Sequence, residues 1–422
     1  MPTAAPSERA AATRWPVVIA VFLASVAGTL QIGKAPPALP ILRAELGLDL
    51  VEGGWIASIV FLAGALTGAA GGMVADRIGY RRTVLGGFFC LLIGTVLGGA
   101  APGFAVLLLG RFVEGIGYLA ILVGGTPIVA AAATERDRRA ALGLLSSYFP
   151  CGMTAAMLIA PLGLGLLGWR GLWAANIAVI LALLALFLIW VPRRDFGFAR
   201  ASADRLTLAD VGATLARPGP WLLAAMFVIM SICNFSIMAW MPTFFAEELG
   251  FSTTVAALLT AVFVASLIPF MAASGWFIQR GLPRWAMLSA AAVAIGTLPL
   301  GVFAPDVAPV TRLACAVPLA LLSSFIAGAA YAGVPLHAPD RRRFGVVTGV
   351  IVQGNTLGQF IGPPIIAALV VATGGWDGMR WLYPFVGVAG LAITLALHRV
   401  EQRLTAVSLP SREREGEGQQ PR

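Results

Sequence analysis

Twelve apolar stretches can be read along the chain, near 15–38, 52–75, 83–101, 104–131, 141–166, 170–191, 221–243, 252–278, 285–304, 308–334, 344–372 and 380–398, with polar residues gathered in the connections between them. Each covers the roughly 20 residues that a helix needs to cross a ~30 Å hydrocarbon core. The pattern predicts an all-α membrane protein of twelve transmembrane helices, numbered 1 to 12 in chain order, six to each half. The one long polar interior segment lies between Trp190 and Trp221 and carries Arg193, Arg194, Asp195, Arg200, Asp204, Arg205, Asp210 and Arg217. Within it, 206–216 reads either as a charged tether or as a short amphipathic helix on the membrane surface. After His398 the chain turns rich in Arg, Glu, Gly and Gln, a composition that predicts disorder. The predicted plan is a polar segment 1–14, a six-helix half 15–192, a linker 193–219, a second half 220–400 and a tail 401–422.

The halves repeat each other at a fixed offset of 203 residues. Gly72 recurs as Gly275, Arg77 as Arg280, Asp137-Arg138-Arg139 as Asp340-Arg341-Arg342, and Pro161 as Pro364. A constant shift in a strongly apolar chain implies two parallel repeats, the build of a transporter whose binding site lies at their seam.

Composition agrees: the chain is 59% hydrophobic and 12% charged, against about 25% charged in soluble domains. A net charge of +9 would suggest a nucleic-acid partner in a soluble protein, but its placement argues otherwise. With the N-terminus inside, the tails and even-numbered connections hold 23 of the 29 Lys and Arg, which is the positive-inside pattern and excludes nucleic acid. Only Lys34, Arg43, Arg111, Arg170, Arg312 and Arg380 fall elsewhere. The first stretch runs into Pro36, Pro37 and Pro40 rather than a cleavage site, so it reads as a retained helix. Cys90, Cys151, Cys233 and Cys315 have no metal or disulfide spacing. No nucleotide-binding motif or clustered catalytic set is present, which predicts a non-enzyme without cofactor or metal. The histidines, His337 and His398, fall near helix ends and offer no mid-membrane proton relay.

The connection between helices 2 and 3 reads Gly72-Met-Val-Ala-Asp76-Arg77-Ile-Gly79-Tyr80-Arg81-Arg82. It resembles the G-x-x-x-D-R-x-G-x-R-R motif of the major facilitator superfamily at every defining position. The resemblance spans roughly residues 15–400 and implies that family's two-bundle fold and alternating access. Gly72 lets helices approach closely and Gly79 permits a tight turn. By resemblance, Asp76 with Arg77, Arg81 and Arg82 forms a cytoplasmic latch near the start of helix 11, where exposed amides favour a carboxylate. That latch holds the outward-facing state and opens in the inward-facing one. In the second copy, Gly275-Trp-Phe-Ile-Gln279-Arg280, Gln279 replaces the acid, so the two latches are unequal.

Helix 4 carries Arg111, Glu114 and Tyr118 on one face, at i, i+3 and i+7, resembling the family's R-x-x-q-G-x-g motif with Glu114 in place of glutamine. An arginine about two turns inside a membrane helix needs a partner or a wet cavity. Glu114, the only carboxylate deep in a helix, is either a structural partner of Arg111 or a proton-coupling group. Lys34, the sole lysine, lies one turn after Gln31 on helix 1; it either attracts an anionic substrate or snorkels to the outer interface. Helix 5 resembles the antiporter-associated G-P-x-x-G-G motif only loosely, with Ala160 where glycine is expected before Pro161. Helix 11 has a small-residue stripe, Gly354, Gly358 and Gly362, and a bend at Pro363-Pro364, with Gln353, Asn355 and Gln359 available to the cavity. Tyr148, Asn176, Asn234, Trp240 and Tyr331 complete the polar and aromatic candidates. Substrate contact is thus expected from Gln31, Lys34, Arg111, Tyr118, Tyr148, Asn234, Gln353 and Asn355.

The expected function is a monomeric secondary transporter of a bacterial inner membrane, with both termini cytoplasmic, moving a small anionic solute with protons as coupling ion. The run from Lys34 to Gly47 resembles cyanate-permease-like members of the superfamily. The alternative is proton-coupled multidrug efflux, whose members commonly bury an acidic residue in helix 1, a feature missing here.

Overall fold

The computed structural model describes residues 12–67, 70–193, 207–340 and 343–408. Outside these lie Arg194, Asp195, Arg200, Asp204 and Arg205 of the linker, Arg341 and Arg342 of the repeated motif, and the ends of both tails. Helix 1 is Trp15–Leu46, helix 2 is described over 50–67 and Ala70–Ile78, helix 3 is Tyr80–Gly99, and helix 4 is Phe104–Ala132. Helices 5 and 6 run over 138–167 and 169–190. Helix 7 is Pro218–Glu247, helix 8 Thr253–Gln279, helix 9 Arg284–Val302, helix 10 Pro309–Tyr331, helix 11 Phe344–Thr373 and helix 12 Met379–Ser408. All twelve predicted spans are therefore found among the described residues. Helix 1 starts at what is called here the terminal face; odd-numbered helices run from it to the far face and even-numbered ones return.

Three boundaries differ clearly from the sequence reading, the simplest being helix 12, which continues past His398 to Ser408, with Glu401 paired to Arg284 at 2.7 Å. From Tyr148 to Trp190, helices 5 and 6 form one helical run interrupted only at Gly168, whose φ of 66° suits a residue with no Cβ. The chain reverses there: a Cβ on Gly163 would stand 2.8 Å from the Leu172 side chain. Residues that far apart on one straight helix, rising about 1.5 Å per residue, could not meet. Helix 1, in turn, does not stop at its prolines. Its first segment ends at Gly33, and a second, Ala35–Leu46, starts at once with Pro36 and Pro37 in the opening turn, where proline gives up no hydrogen bond. Lys34 is the joint between them, the C-cap of the first and the N-cap of the second. Its snorkelling alternative is removed, because the side chain is 2% exposed.

The helices are apolar nearly all round, and what sorts their faces is size. On helix 11, a Cβ on Gly354, Gly358 or Gly362 would stand 2.5–2.6 Å from Ala224 O, Val228 O and Ser236 Oγ of helix 7. Helices 1 and 5 pair in the same manner through Gly33 against Ala156 and Gly152 against Thr29. Small residues let backbones touch where no hydrophobic force between helices is available in lipid. Large apolar side chains such as Leu166, Ile189 and Phe385 project outward, where lipid would cover them. The duplication carries into packing: Trp173 and Trp376, 203 residues apart, are both buried at the starts of helices 6 and 12.

Of the two readings of 206–216, the helix is found. Leu208–Leu215 is capped by Thr207 and Asp210, each side chain accepting the other's backbone N–H. Asp210 also pairs with Arg343 at the N-cap of helix 11, tying the linker to the terminal face of the second half.

Candidate functional site

Four of the predicted residues meet inside the first half. Lys34 Nζ donates to Gln31 Oε1 and to Glu114 Oε1, both at 2.6 Å. Arg111 donates to Glu114 Oε2 at 2.6 Å, to the Ile56 carbonyl of helix 2 at 3.1 Å, and to the Gln31 carbonyl of helix 1. One carboxylate thus bridges two cations, and all three side chains are at most 2% exposed. Burying charge in lipid is expensive unless it is paired and hydrogen-bonded, and the neighbours meet that need. The Thr95 hydroxyl of helix 3 donates to Glu114 Oε1 at 3.0 Å. Gln31 Nε2 donates to Asn176 Oδ1 of helix 6 at 3.3 Å, and Lys34 Nζ sits 4.4 Å from the centre of the Trp173 ring. Helices 1, 2, 3, 4 and 6 all contribute.

The second half has no equivalent. At the same 203-residue offset, Lys34, Arg111 and Glu114 correspond to Ile237, Ala314 and Val317. Only Gln31 keeps a polar counterpart, Asn234, whose Oδ1 is buried without a donor among the described residues. In that region Trp240, Phe244, Phe303, Trp376 and Tyr383 line a small apolar cavity. Asn355 accepts from Ser231 at 2.5 Å, and Gln353 reaches across the seam to donate to the Ala65 carbonyl at 3.0 Å. Tyr118 and Tyr148 face each other, hydroxyl to hydroxyl, at 3.0 Å. They stand beside Phe61, whose ring meets Phe235 of the other half at 4.8 Å. The predicted contacts therefore fall into three groups: a charged cluster inside the first half, a tyrosine pair near the seam, and amides on helices 7 and 11.

The halves are sealed at the far face. A Cβ on Gly54 of helix 2 would stand 2.9 Å from the Pro364 backbone of helix 11. Trp55 packs on Phe360 at 5.3 Å, and Arg43 pairs with Glu247 at 2.9 Å. The Trp240 indole N–H donates to the Pro363 carbonyl at 3.0 Å, bracing the bent stretch of helix 11 against which Gly54 rests. The prolines flagged in the sequence as a bend thus supply half of a seal.

At the terminal face Asp76, Arg77, Arg81 and Arg82 make no hydrogen bond or ion pair with helix 11 among the described residues. Gly79 has φ 94° and starts helix 3, as the motif predicts. Asp76 is exposed and accepts from the Tyr80 hydroxyl at 2.6 Å. Arg81 donates to the Val191 carbonyl at 2.9 Å, while Arg77 and Arg82 are exposed. In the second copy Gln279 is exposed and Arg280 lies on the Trp276 ring at 3.9 Å. Sequence reasoning missed Thr95 and Trp173, which have no distinguishing spacing, and the Gly54 seal, since a lone glycine in a membrane helix is unremarked until its neighbour is known.

Comparison with known proteins fits this geometry. A family model described as Major Facilitator Superfamily matches residues 17–363. An uncharacterized MFS-type transporter of Mycobacterium tuberculosis is 25% identical over 386 residues, which cover 90% of this chain and 48% of that protein; the chain spans about half the length of that relative. The 3-(3-hydroxy-phenyl)propionate transporter of Escherichia coli is 27% identical over 406 residues, covering 90% of this chain and 93% of that one. A crystal structure of a bacterial homolog of the human lysosomal transporter Spinster, inward-facing and occupied, superposes with a TM-score of 0.72 at 18% identity. The match covers 93% of this chain and 97% of that one and establishes the fold.

Proposed function

The chain belongs to the Major Facilitator Superfamily and is a multi-pass membrane protein, and from that premise we propose that it is a secondary transporter moving a small anionic solute by alternating access, coupled to a proton gradient. The observation that carries this reading is the pair of buried cations, Lys34 and Arg111, on a single protonatable partner, Glu114, in one half only. Buried cations draw anionic cargo and a buried carboxylate can hold a proton. The relative from Escherichia coli is named for a propionate, a carboxylate cargo, which supports the same substrate class. A far face shut by Gly54 and Pro364, with Asp76 undocked at the opposite face, supports an inward-facing state. The terminal face is then cytoplasmic, in keeping with the positive-inside distribution, and the membrane is the bacterial inner membrane. Asp76, with Gly72, Gly79 and the arginines around it, is the latch that closes that face in the other state.

The test is transport in proteoliposomes with an imposed pH gradient and a fluorescent pH reporter, screened with anionic, neutral and cationic solutes. The reading predicts proton movement into the vesicles only when a transported anion is added. Proton movement in exchange for cationic dyes, with no anion transported, would establish the efflux alternative instead.

A further inference from the structure

The charged cluster does not balance. Lys34 and Arg111 supply two positive charges and Glu114 one negative charge, and no other ionisable side chain faces them among the described residues. Around them stand Gln31 on helix 1, the Ile56 carbonyl on helix 2, Thr95 on helix 3 and Trp173 on helix 6, with Asn176 behind Gln31, while from helix 5 the uncharged Met153 and Ala156 pack against Gly33, beside Lys34. Arg111 Nη2 is buried with no acceptor among the described residues, so one guanidinium edge lacks an anionic partner. The cluster also lies directly under the far-face seal: Ile56, whose carbonyl Arg111 holds, is two residues beyond Gly54, which rests on Pro364. Parting the seal would move the segment of helix 2 to which Arg111 is bound.

We propose that Glu114 is a built-in stand-in for the anionic group of the cargo, so that a monoanion, bound together with one proton on Glu114, takes turns with the Glu114 carboxylate on the same pair of cations. This deepens the transport reading above and rests on it. With the far face open, the Glu114 carboxylate takes a proton from external water; an O–H bond forms and its ion pairs with Lys34 and Arg111 break. The freed cations accept the cargo's carboxylate or a comparably small monoanion, with Nη2 gaining the acceptor it lacks. After the halves rock, Glu114 gives its proton to water at the other face and recaptures both cations, as the inward-facing geometry shows them, and the anion leaves. Charge inside the cluster is +1 in the anion-free state, two cations with ionised Glu114, and +1 in the loaded state, two cations with neutral Glu114 and one anion. The anion-free and loaded end states therefore carry the same net charge, which keeps the electrostatic cost of the two alike.

The test uses the purified full chain in detergent and weak buffer, with 3-phenylpropionate as the probe and nitrate as a second, and a pH indicator in solution. Wild type is expected to take up about one proton per anion bound, with affinity rising by about tenfold for each pH unit lowered where that uptake is complete. Glu114→Gln, a neutral copy of the protonated form, is expected to bind with no proton uptake and with affinity independent of pH. Wild-type binding without proton uptake would overturn the proposal and needs no variant to fold; so would proton uptake by Glu114→Gln equal to wild type. A wild type that binds neither probe, and moves neither in proteoliposomes, overturns the anion reading itself and the proposal with it.

Discussion

Glu114 spans two cations at 2.6 Å each, and the consequence of removing it is larger than for any surface pair. Glu114→Leu leaves Lys34 and Arg111 buried without a counter-charge, which should lower stability by about 3–5 kcal/mol, read as a drop in the melting temperature in detergent. Replacing all three together, Lys34→Ile, Arg111→Met and Glu114→Leu, should restore most of that loss while abolishing transport, because the corresponding positions of the second half, Ile237, Ala314 and Val317, are apolar and fold well. A triple variant as unstable as the single one would mean that the fold itself needs the charges. The helix 4 part of this cluster was legible in advance: the spacing of Arg111, Glu114 and Tyr118 fixes one face whatever else happens. The place of Lys34 was not, because it depends on helix 1 continuing through Pro36, Pro37 and Pro40, and proline in a first turn reads like a helix end when only the sequence is seen. Thr95 and Trp173 had no local signal; they matter only because helices 3 and 6 bring them to a carboxylate.

At the scale of elements, the account depends on helices that meet backbone to backbone. Gly54 rests on the Pro364 backbone, which cannot yield as a side chain would. Gly54→Leu should oppose closure of the far face by about 1–3 kcal/mol of overpacking, shifting the balance of states by about 5- to 150-fold. Uptake in proteoliposomes should fall accordingly, and normal uptake would show that the seal is not made there. The linker helix makes a second element-scale prediction. The Thr207 backbone amide, then the Thr207 hydroxyl, and beyond these Arg343, hold the Asp210 carboxyl below its usual range. A lowered value places the contribution of this carboxylate in full above the ordinary figure of about 3.9 and removes it only as pH falls below that. Limited proteolysis of the linker should therefore be equally slow at pH 7 and pH 5 in wild type, and fast at both in Asp210→Asn. The number and order of the membrane helices were readable from apolar length, though not the run of helix 1 to Leu46, and the helix 11 stripe was readable from its glycines. The reversal at Gly168 and the seal at Gly54 were not, since a glycine's neighbour across a helix pair is a tertiary fact.

Across the whole molecule, the duplication predicts two matching bundles, and the charges predict that they are not functionally equal. The first copy of the motif keeps Asp76 and the second has Gln279; the cluster of Lys34, Arg111 and Glu114 likewise belongs to one half. Asp76→Asn should slow transport far more than Gln279→Ala, and equal rates for the two variants would remove the latch. The 203-residue repeat made the two-bundle fold and its seam visible in the sequence. It could not reveal which face is closed, because that is decided by a small difference between two packings of the same helices. The central claim is that the two faces open in turn. The most direct measurement places spin labels at Arg43 and Glu247 on the far face, and in a second sample at Arg77 and Arg280 on the terminal face, and reads both distances in lipid as pH and anion are varied. The account predicts opposite changes, the far-face pair lengthening under the conditions that shorten the terminal-face pair. Two distances that lengthen together, or that stay fixed under conditions where transport is observed, would contradict it.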